Sequence, residues 1–244
     1  MPNWCYNSLT IEGSKELIAD VKRILNRPFT QTHDSWNATT GKMQYSDTVY
    51  SNPVFAFHNI FNHRQDGVPD EEYLKQSDHT TPILEAIEFK GNNWYDWNVR
   101  NWGTKWEVGV PDEEEYPETE LTDESETFLA YRFNTAWSPP TEAIVKLSAQ
   151  YPDLEIELSY QEETGWGGCM QFEAGNVSEL ESYETKCMDC DSLDTLEYCD
   201  NDCGQICSEC NYMGEAELDI VAECDIHKVY LDEDHVPDYR LEQI

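Results

Sequence analysis

Cys187-Met188-Asp189-Cys190 and Cys207-Ser208-Glu209-Cys210 form two Cys-x-x-Cys knuckles separated by sixteen residues. Two turns at that spacing can each offer a thiolate pair to one soft cation. The expected occupant is a structural Zn2+ held by Cys187, Cys190, Cys207 and Cys210, with all four positions closed and no room for catalysis. Cys199 and Cys203 recur with Cys207 at every fourth residue, and Cys224 and His227 lie nearby. The spacing leaves open a three-cysteine-plus-one site or a second metal drawn from these four. An iron–sulfur cluster is the redox alternative. Cys5, Cys169 and Cys224 also read as free, inert thiols. An odd total of nine cysteines fits metal binding in a reducing compartment better than a disulfide framework.

Charge points the same way. Residues 1–110 hold 14 Asp/Glu against 10 Lys/Arg, whereas residues 111–244 hold 36 against 5, so 31 of the 35 excess negative charges follow Val110. Such a body repels nucleic acid and anionic membranes and attracts cationic partners. From Cys187 onward 17 acidic residues face only Lys228 and Arg240, the reverse of a nucleic-acid-binding zinc ribbon. The densest run, Asp112–Glu126, includes Asp112, Glu113, Glu114, Glu115, Glu118, Glu120, Asp123 and Glu124 and is expected to be an exposed, partner-binding loop. High-salt adaptation would spread acidity along the whole chain, and a solvated tail with no partner is the plainer alternative.

Trp94, Trp97, Arg100, Trp102, Lys105, Trp106 and Trp137 are the third group of interest. Their large apolar surfaces suit core packing, and an aromatic cleft for a small planar ligand is the functional alternative. His33, His58, His63, His79, His227 and His235 show no catalytic spacing, and neither a Gly-Lys-Ser/Thr phosphate loop nor a Gly-x-Ser-x-Gly elbow is present. A non-enzymatic protein is expected.

The elements that must carry these groups are partly legible. Leu9 and Ile11 alternate in a strand closed by Gly13. Ser14 then caps a helix with Leu17, Ile18, Val21, Ile24 and Leu25 at helical spacing, ended by Pro28. Periodicity dissolves from Phe29 to about Thr81, apart from short helices near Glu71–Lys75 and Ile83–Ile87, so an insertion at about 28–93 is expected. Lys105–Val110 and Thr127–Trp137 read as strands. Ser138-Pro139 reads as the start of a helix with Ile144, Leu147 and Tyr151 buried, and Leu154, Ile156, Leu158 and Tyr160 as a half-exposed strand. Strand, helix, insertion, strand, strand, helix, strand is the order of an α+β ferredoxin-like antiparallel sheet with helices on one face. The expected domains are 1–180 and an acidic, zinc-ribbon-like module at 181–244. The opening Met1–Asn7 has no signal-peptide character and no run approaches the ~20 apolar residues of a membrane span, so a cytoplasmic, soluble protein is expected.

Pro2-Asn3-Trp4-Cys5-Tyr6-Asn7, Asn101-Trp102-Gly103-Thr104-Lys105-Trp106 and Phe133–Pro140, with its Thr-Ala-Trp-Ser-Pro-Pro, occur together. In these blocks, and in the Glu163–Gly168 turn, the chain resembles the YubB-like and avirulence-like proteins of bacteriophages and conjugative plasmids, over roughly residues 1–175. The resemblance implies a mobile-element origin and a ferredoxin-like domain, and no particular activity; with the cytoplasmic expectation above, the setting is the host-cell cytoplasm.

The function these features favour is an acidic interaction protein. It docks on a basic, nucleic-acid-binding surface of a host protein, its carboxylates standing in for phosphates as in a nucleic-acid mimic that inhibits a defence enzyme or polymerase. The alternatives are a nucleotide-sequestering aromatic cleft, for which Arg100, Lys105 and Arg132 are the candidate cations, and a virion-associated structural protein.

Overall fold

The computed structural model describes residues 3–75, 91–111 and 118–184, together with the backbone of 196–198 and 205–207. The chain divides into two compact units, residues 1–163 with 168–181, and residues 164–167 with 182–244.

The first unit is built on β1 (Trp4–Glu12) and α1 (Lys15–Leu25). Ser14 caps α1 by accepting from the Leu17 N–H, and Ile18, Val21 and Leu25 form its buried stripe. The insertion follows as a hairpin of β2 (Phe29–Asn37) and β3 (Lys42–Tyr50), then the short helices α2 (Phe57–Ile60) and α3 (Asp70–Tyr73), then α4 (Trp94–Trp102). Next come β4 (Thr119–Glu124), β5 (Phe128–Ala136), α5 (Thr141–Gln150), β6 (Glu155–Glu162), β7 (Gly167–Glu173) and β8 (Asn176–Tyr183).

The six-stranded sheet has the order β4-β5-β1-β6-β7-β8, with β1 antiparallel to both β5 and β6 and β4 antiparallel to β5. The core β4-β5-β1-β6 joined through α1 and α5 is a ferredoxin-like α+β arrangement. The hairpin β7–β8 extends it, turning at Ala174 and Gly175, both at positive φ.

Alternation fixes the two faces. Leu9, Ile11, Leu129, Tyr131, Phe133, Ile156 and Leu158 are buried beneath Ile18, Val21, Leu25, Ile144 and Leu147 of the two crossover helices. The opposite face exposes Tyr6, Ser8, Glu12, Arg132, Glu155, Glu157 and Ser159.

Four sequence expectations change. Lys105–Val110 forms no strand. The strand lies instead inside the expected acidic loop, as β4, where Thr119 is buried and Leu121 packs on the core while Glu120, Asp123 and Glu124 stay outside. Carboxylates suit a sheet edge because they discourage further pairing. Ser138 does not cap α5. Its hydroxyl donates to the Gly103 carbonyl at 2.6 Å, and α5 begins after Pro140 without a side-chain cap. The insertion, expected to hold only short helices, opens instead with a hairpin of two nine-residue strands whose turn is set by Asn37, which accepts from the N–H of Thr39 and Thr40 at 2.9 and 3.0 Å. The helix expected at Ile83–Ile87 lies outside the described residues.

In the second unit the described backbone includes β9 (Leu196–Tyr198) antiparallel to β10 (Gln205–Cys207), with Cys207 paired to Leu196. Among the described residues no helix is long and apolar enough to cross a membrane.

Candidate functional site

Three distant sequence blocks meet at one end of the central strands. Asn7 is buried and donates through Nδ2 to the Cys5 carbonyl at 2.8 Å, the Thr135 hydroxyl at 2.8 Å and the Phe133 carbonyl at 3.3 Å. Thr135 passes its own proton to the Ser138 carbonyl at 2.7 Å. Thr104, also buried, donates to the Ala136 carbonyl at 3.1 Å and accepts the Ala136 N–H at 3.2 Å, as a neighbouring strand would. Burial pushes the Cys5 thiol up to about 12, so it is an inert thiol at this corner.

Two features lock the segment that leaves α4. Gly103 closes the helix at φ 82°, where a Cβ would collide with the Glu142 carboxylate. Trp137 sits at φ 72°, a left-handed conformation that costs a bulky residue about 1–2 kcal/mol, and its N–H donates to the Asn3 carbonyl at 2.9 Å.

The aromatic residues named from sequence separate into two groups. Trp97 and Trp102 belong to the core, with their indole N–H groups donated to Asp66 at 2.9 Å and the Phe61 carbonyl at 2.8 Å. Trp94, Trp106 and Trp137, joined by Tyr95, surround the Lys105 ammonium. It lies 4.6 Å from the Trp106 ring centre, 5.1 Å from Trp137, 5.7 Å from Tyr95 and 6.0 Å from Trp94. Burial lowers the Lys105 pKa.

Trp106 also walls a cleft of two lobes. One, of about 270 Å3, is lined by Gln31, His33, Tyr73, Trp94, Asn98 and Glu107 among others. The second, of about 240 Å3, lies against Trp4, Tyr50, Asn134 and Ala136, and shares His33, Trp106 and Glu107 with the first. Trp4 and Trp106 are 5.9 Å apart, tilted by 43°. Glu107 anchors this region. Its Oε1 accepts from the N–H groups of Phe57 at 2.7 Å, Val108 at 2.9 Å and Gly109 at 3.2 Å, and its Oε2 accepts from His58 N–H at 2.7 Å. Burial nevertheless moves its carboxyl pKa upward, against these donors.

Among the described residues neither lobe is lined by a lysine or arginine. Lys105 is held among the rings and is absent from the lining of both lobes. Arg100 is spent on the Gly91 carbonyl at 2.7 Å and Asn92 at 3.1 Å, and Arg132 stands on the open sheet face between Ser8 and Glu120. The three cations expected to hold a phosphate are therefore not brought together.

Of the acidic set, Glu118, Glu120, Asp123 and Glu124 are described, and Asp112, Glu113, Glu114 and Glu115 lie outside the described residues. Glu124 pairs with Lys22, and Glu126 with Lys15, which ties this edge to α1. His58 and His63 are buried in the insertion. Burial pulls His58 down to about 4, and His63 is stacked on Tyr73 at 3.9 Å with Nε2 2.9 Å from Asp70. Cys187, Cys190, Cys199, Cys203, Cys210, Cys224 and His227 lie outside the described residues, and only the backbone of Cys207 is described. Among the described residues no group of His, Cys, Asp or Glu is arranged to hold a metal.

Sequence reasoning named Trp94, Trp106 and Lys105 but missed Gln31, His33, Tyr50, Tyr73 and Glu107. The last adjoins the aromatic block and could have been suspected as an isolated acid in an apolar run. The others carry no local signal.

No curated protein matches the chain. The crystal structure of a protein api92 from Yersinia pseudotuberculosis is similar at 13% identity with a TM-score of 0.42, over 77% of this chain and 99% of that one. Residues 118–200, which hold the second β-α-β half of the domain, match the family described as a ferredoxin-like domain in Api92-like protein.

Proposed function

We propose that this chain is a non-enzymatic acidic protein that docks on a basic surface of a partner protein. The observation that carries the proposal is the sign of its charge, with 31 of 35 excess negative charges beyond Val110. The cleft agrees with that sign, having among the described residues aromatic walls, one carboxylate and no lysine or arginine. A host nucleic-acid-binding protein, met in the cytoplasm by a phage- or plasmid-encoded inhibitor, is the partner class that such a surface suits. The carboxylates from Asp112 onward then occupy phosphate positions, while Glu124 and Glu126 remain committed to Lys22 and Lys15.

The acidic module is proposed to hold one structural Zn2+ through Cys187, Cys190, Cys207 and Cys210. The donor set of four thiolates fits zinc, and the backbone pairing of β10 with β9 ends at Cys207, where the second knuckle begins. The ion cross-links a segment too poor in apolar residues to fold on burial alone.

Calorimetric titration with oligolysine and oligoarginine from 50 to 500 mM salt tests the docking function. Affinity is expected to fall steeply with salt. Absence of binding at the lowest salt, or binding indifferent to salt, refutes it. A second reading, capture of a neutral planar molecule, is favoured by the paired lobes of about 270 and 240 Å3. Thermal shifts with nucleosides but not with the corresponding nucleotides would support it, because among the described residues no lysine or arginine lines the lobes to meet a phosphate.

A further inference from the structure

We infer that the larger lobe, between Trp94 and Trp106, is an anchor pocket for an arginine side chain of the basic partner. The inference rests on the docking function proposed above and names the group that enters. Four observations converge on it.

Among the described residues the lobe is walled by indole and phenol rings, is lined by no lysine or arginine, and has Glu107 as its single carboxylate. Trp106 and Trp94 already attract a cation, because Lys105 lies 4.6 and 6.0 Å from their ring centres without lining the lobe. The rings are therefore arranged for cation–π contact, and a second cation can approach from within the lobe.

The fourth observation concerns Gln31. Asn98 Nδ2 donates to the Lys105 carbonyl at 2.8 Å, which turns Asn98 Oδ1 toward the Tyr73 hydroxyl, its donor at 2.8 Å. The Tyr73 oxygen then has only lone pairs for Gln31, whose Nε2 donates to it at 3.4 Å. That chain of donors fixes the Gln31 amide and leaves its Oε1, buried beneath the surface of the lobe, with no hydrogen-bond partner among the described residues. Gln31 is 6% exposed, so the orphan acceptor is a cost that an incoming donor removes.

A guanidinium satisfies these conditions together. It is planar, it stacks on indole, it is weakly hydrated, and its fork of five N–H groups offers a donor to Gln31 Oε1 once that buried side chain turns toward the lobe. An ammonium is a compact, strongly hydrated charge and meets them less well.

Three peptides of one sequence, carrying arginine, lysine or citrulline at the same positions, provide the test with full-length protein by calorimetry and tryptophan fluorescence. The arginine peptide is expected to bind about tenfold more tightly than the lysine peptide, with citrulline weakest. Gln31→Leu and Trp106→Leu should abolish the arginine preference while leaving salt-dependent binding of both cationic peptides. Lys105→Met should tighten arginine binding by about three- to tenfold, since it removes a like charge behind the rings. It would weaken the binding of any anionic ligand. Thermal unfolding of each variant confirms that it folds. Equal affinity for arginine and lysine peptides, or a preference that survives both leucine variants, overturns the pocket and leaves the docking function intact. Failure of every cationic peptide to bind at low salt overturns both.

Discussion

Replacing Glu107 by glutamine tests whether one buried carboxylate holds the floor of the cleft. The wild-type side chain accepts four backbone N–H groups, from Phe57, His58, Val108 and Gly109, at 2.7 to 3.2 Å. Glutamine has one acceptor oxygen. Its best orientation keeps that oxygen against Phe57, Val108 and Gly109 and turns the NH2 toward the His58 N–H, donor against donor. One buried N–H loses its partner, at about 1–3 kcal/mol, and the remaining bonds lose their charge assistance. A destabilisation of about 2–4 kcal/mol at pH 7 follows, read from urea denaturation. The pH dependence gives a second check. Burial raises the Glu107 pKa in the folded state, so its contribution is full below the ordinary carboxylate range and is lost as pH rises through the folded value. The gap between wild type and Glu107→Gln should therefore widen as pH falls through the folded value toward the ordinary carboxylate range. A variant within 0.5 kcal/mol of wild type at pH 7, with an unchanged pH profile, would refute the account of Glu107 as the clasp of this floor.

Four further outcomes are expected. Thr104→Val should cost about 2–3 kcal/mol by denaturation, because the buried N–H and C=O of Ala136 both lose their partner, whereas Thr104→Ser should cost under about 1 kcal/mol. Trp137→Gly should be about 1 kcal/mol more stable than Trp137→Ala, since only glycine adopts φ 72° without strain. His58, pulled by burial to about 4, binds its proton more readily when unfolded, so its contribution is present above pH 6.5 and is lost as pH falls toward 4. Between pH 7.5 and pH 5 this removes on the order of 1–2 kcal/mol, and His58→Gln should flatten that slope in pH-dependent denaturation. Elemental analysis should find one zinc per chain, lost in Cys190→Ser and Cys210→Ser and retained in Cys169→Ser.

What could be read from the sequence follows from periodicity. β1, α1, β5, α5 and β6 each bury one face, so their apolar residues recur at two or at three to four, and all five were legible. β4 was hidden because an edge strand buries only Thr119 and packs only Leu121, and its acids resemble a loop. β2 and β3 were hidden because polar residues occupy both faces of the hairpin, as with Thr32 and Asp47, which bond across it at 2.8 Å. α4 was hidden for the opposite reason, with aromatic residues all around it, some buried in the core and others against Lys105. Trp106, Trp94 and Lys105 could be singled out by composition. Gln31 and Tyr73 could not, because their relation exists only once the hairpin and α3 have packed together.

The cleft draws its walls from two sources. Trp4, Trp106 and Asn134–Ala136 come from the three sequence blocks that meet at the corner, and they are tied together by Asn7, Thr104 and Thr135. Gln31, His33, Tyr50 and Tyr73 come from the insertion. The motif residues thus build an aromatic corner, while the insertion supplies the polar groups, Gln31 and His33 among them, that line the cleft beside it. A protein with the same three motifs and a different insertion should keep the corner and change its ligand. Grafting such an insertion between α1 and α4 should then preserve the fold and abolish the arginine preference. Retention of that preference would place selectivity in the corner itself and overturn this division of labour.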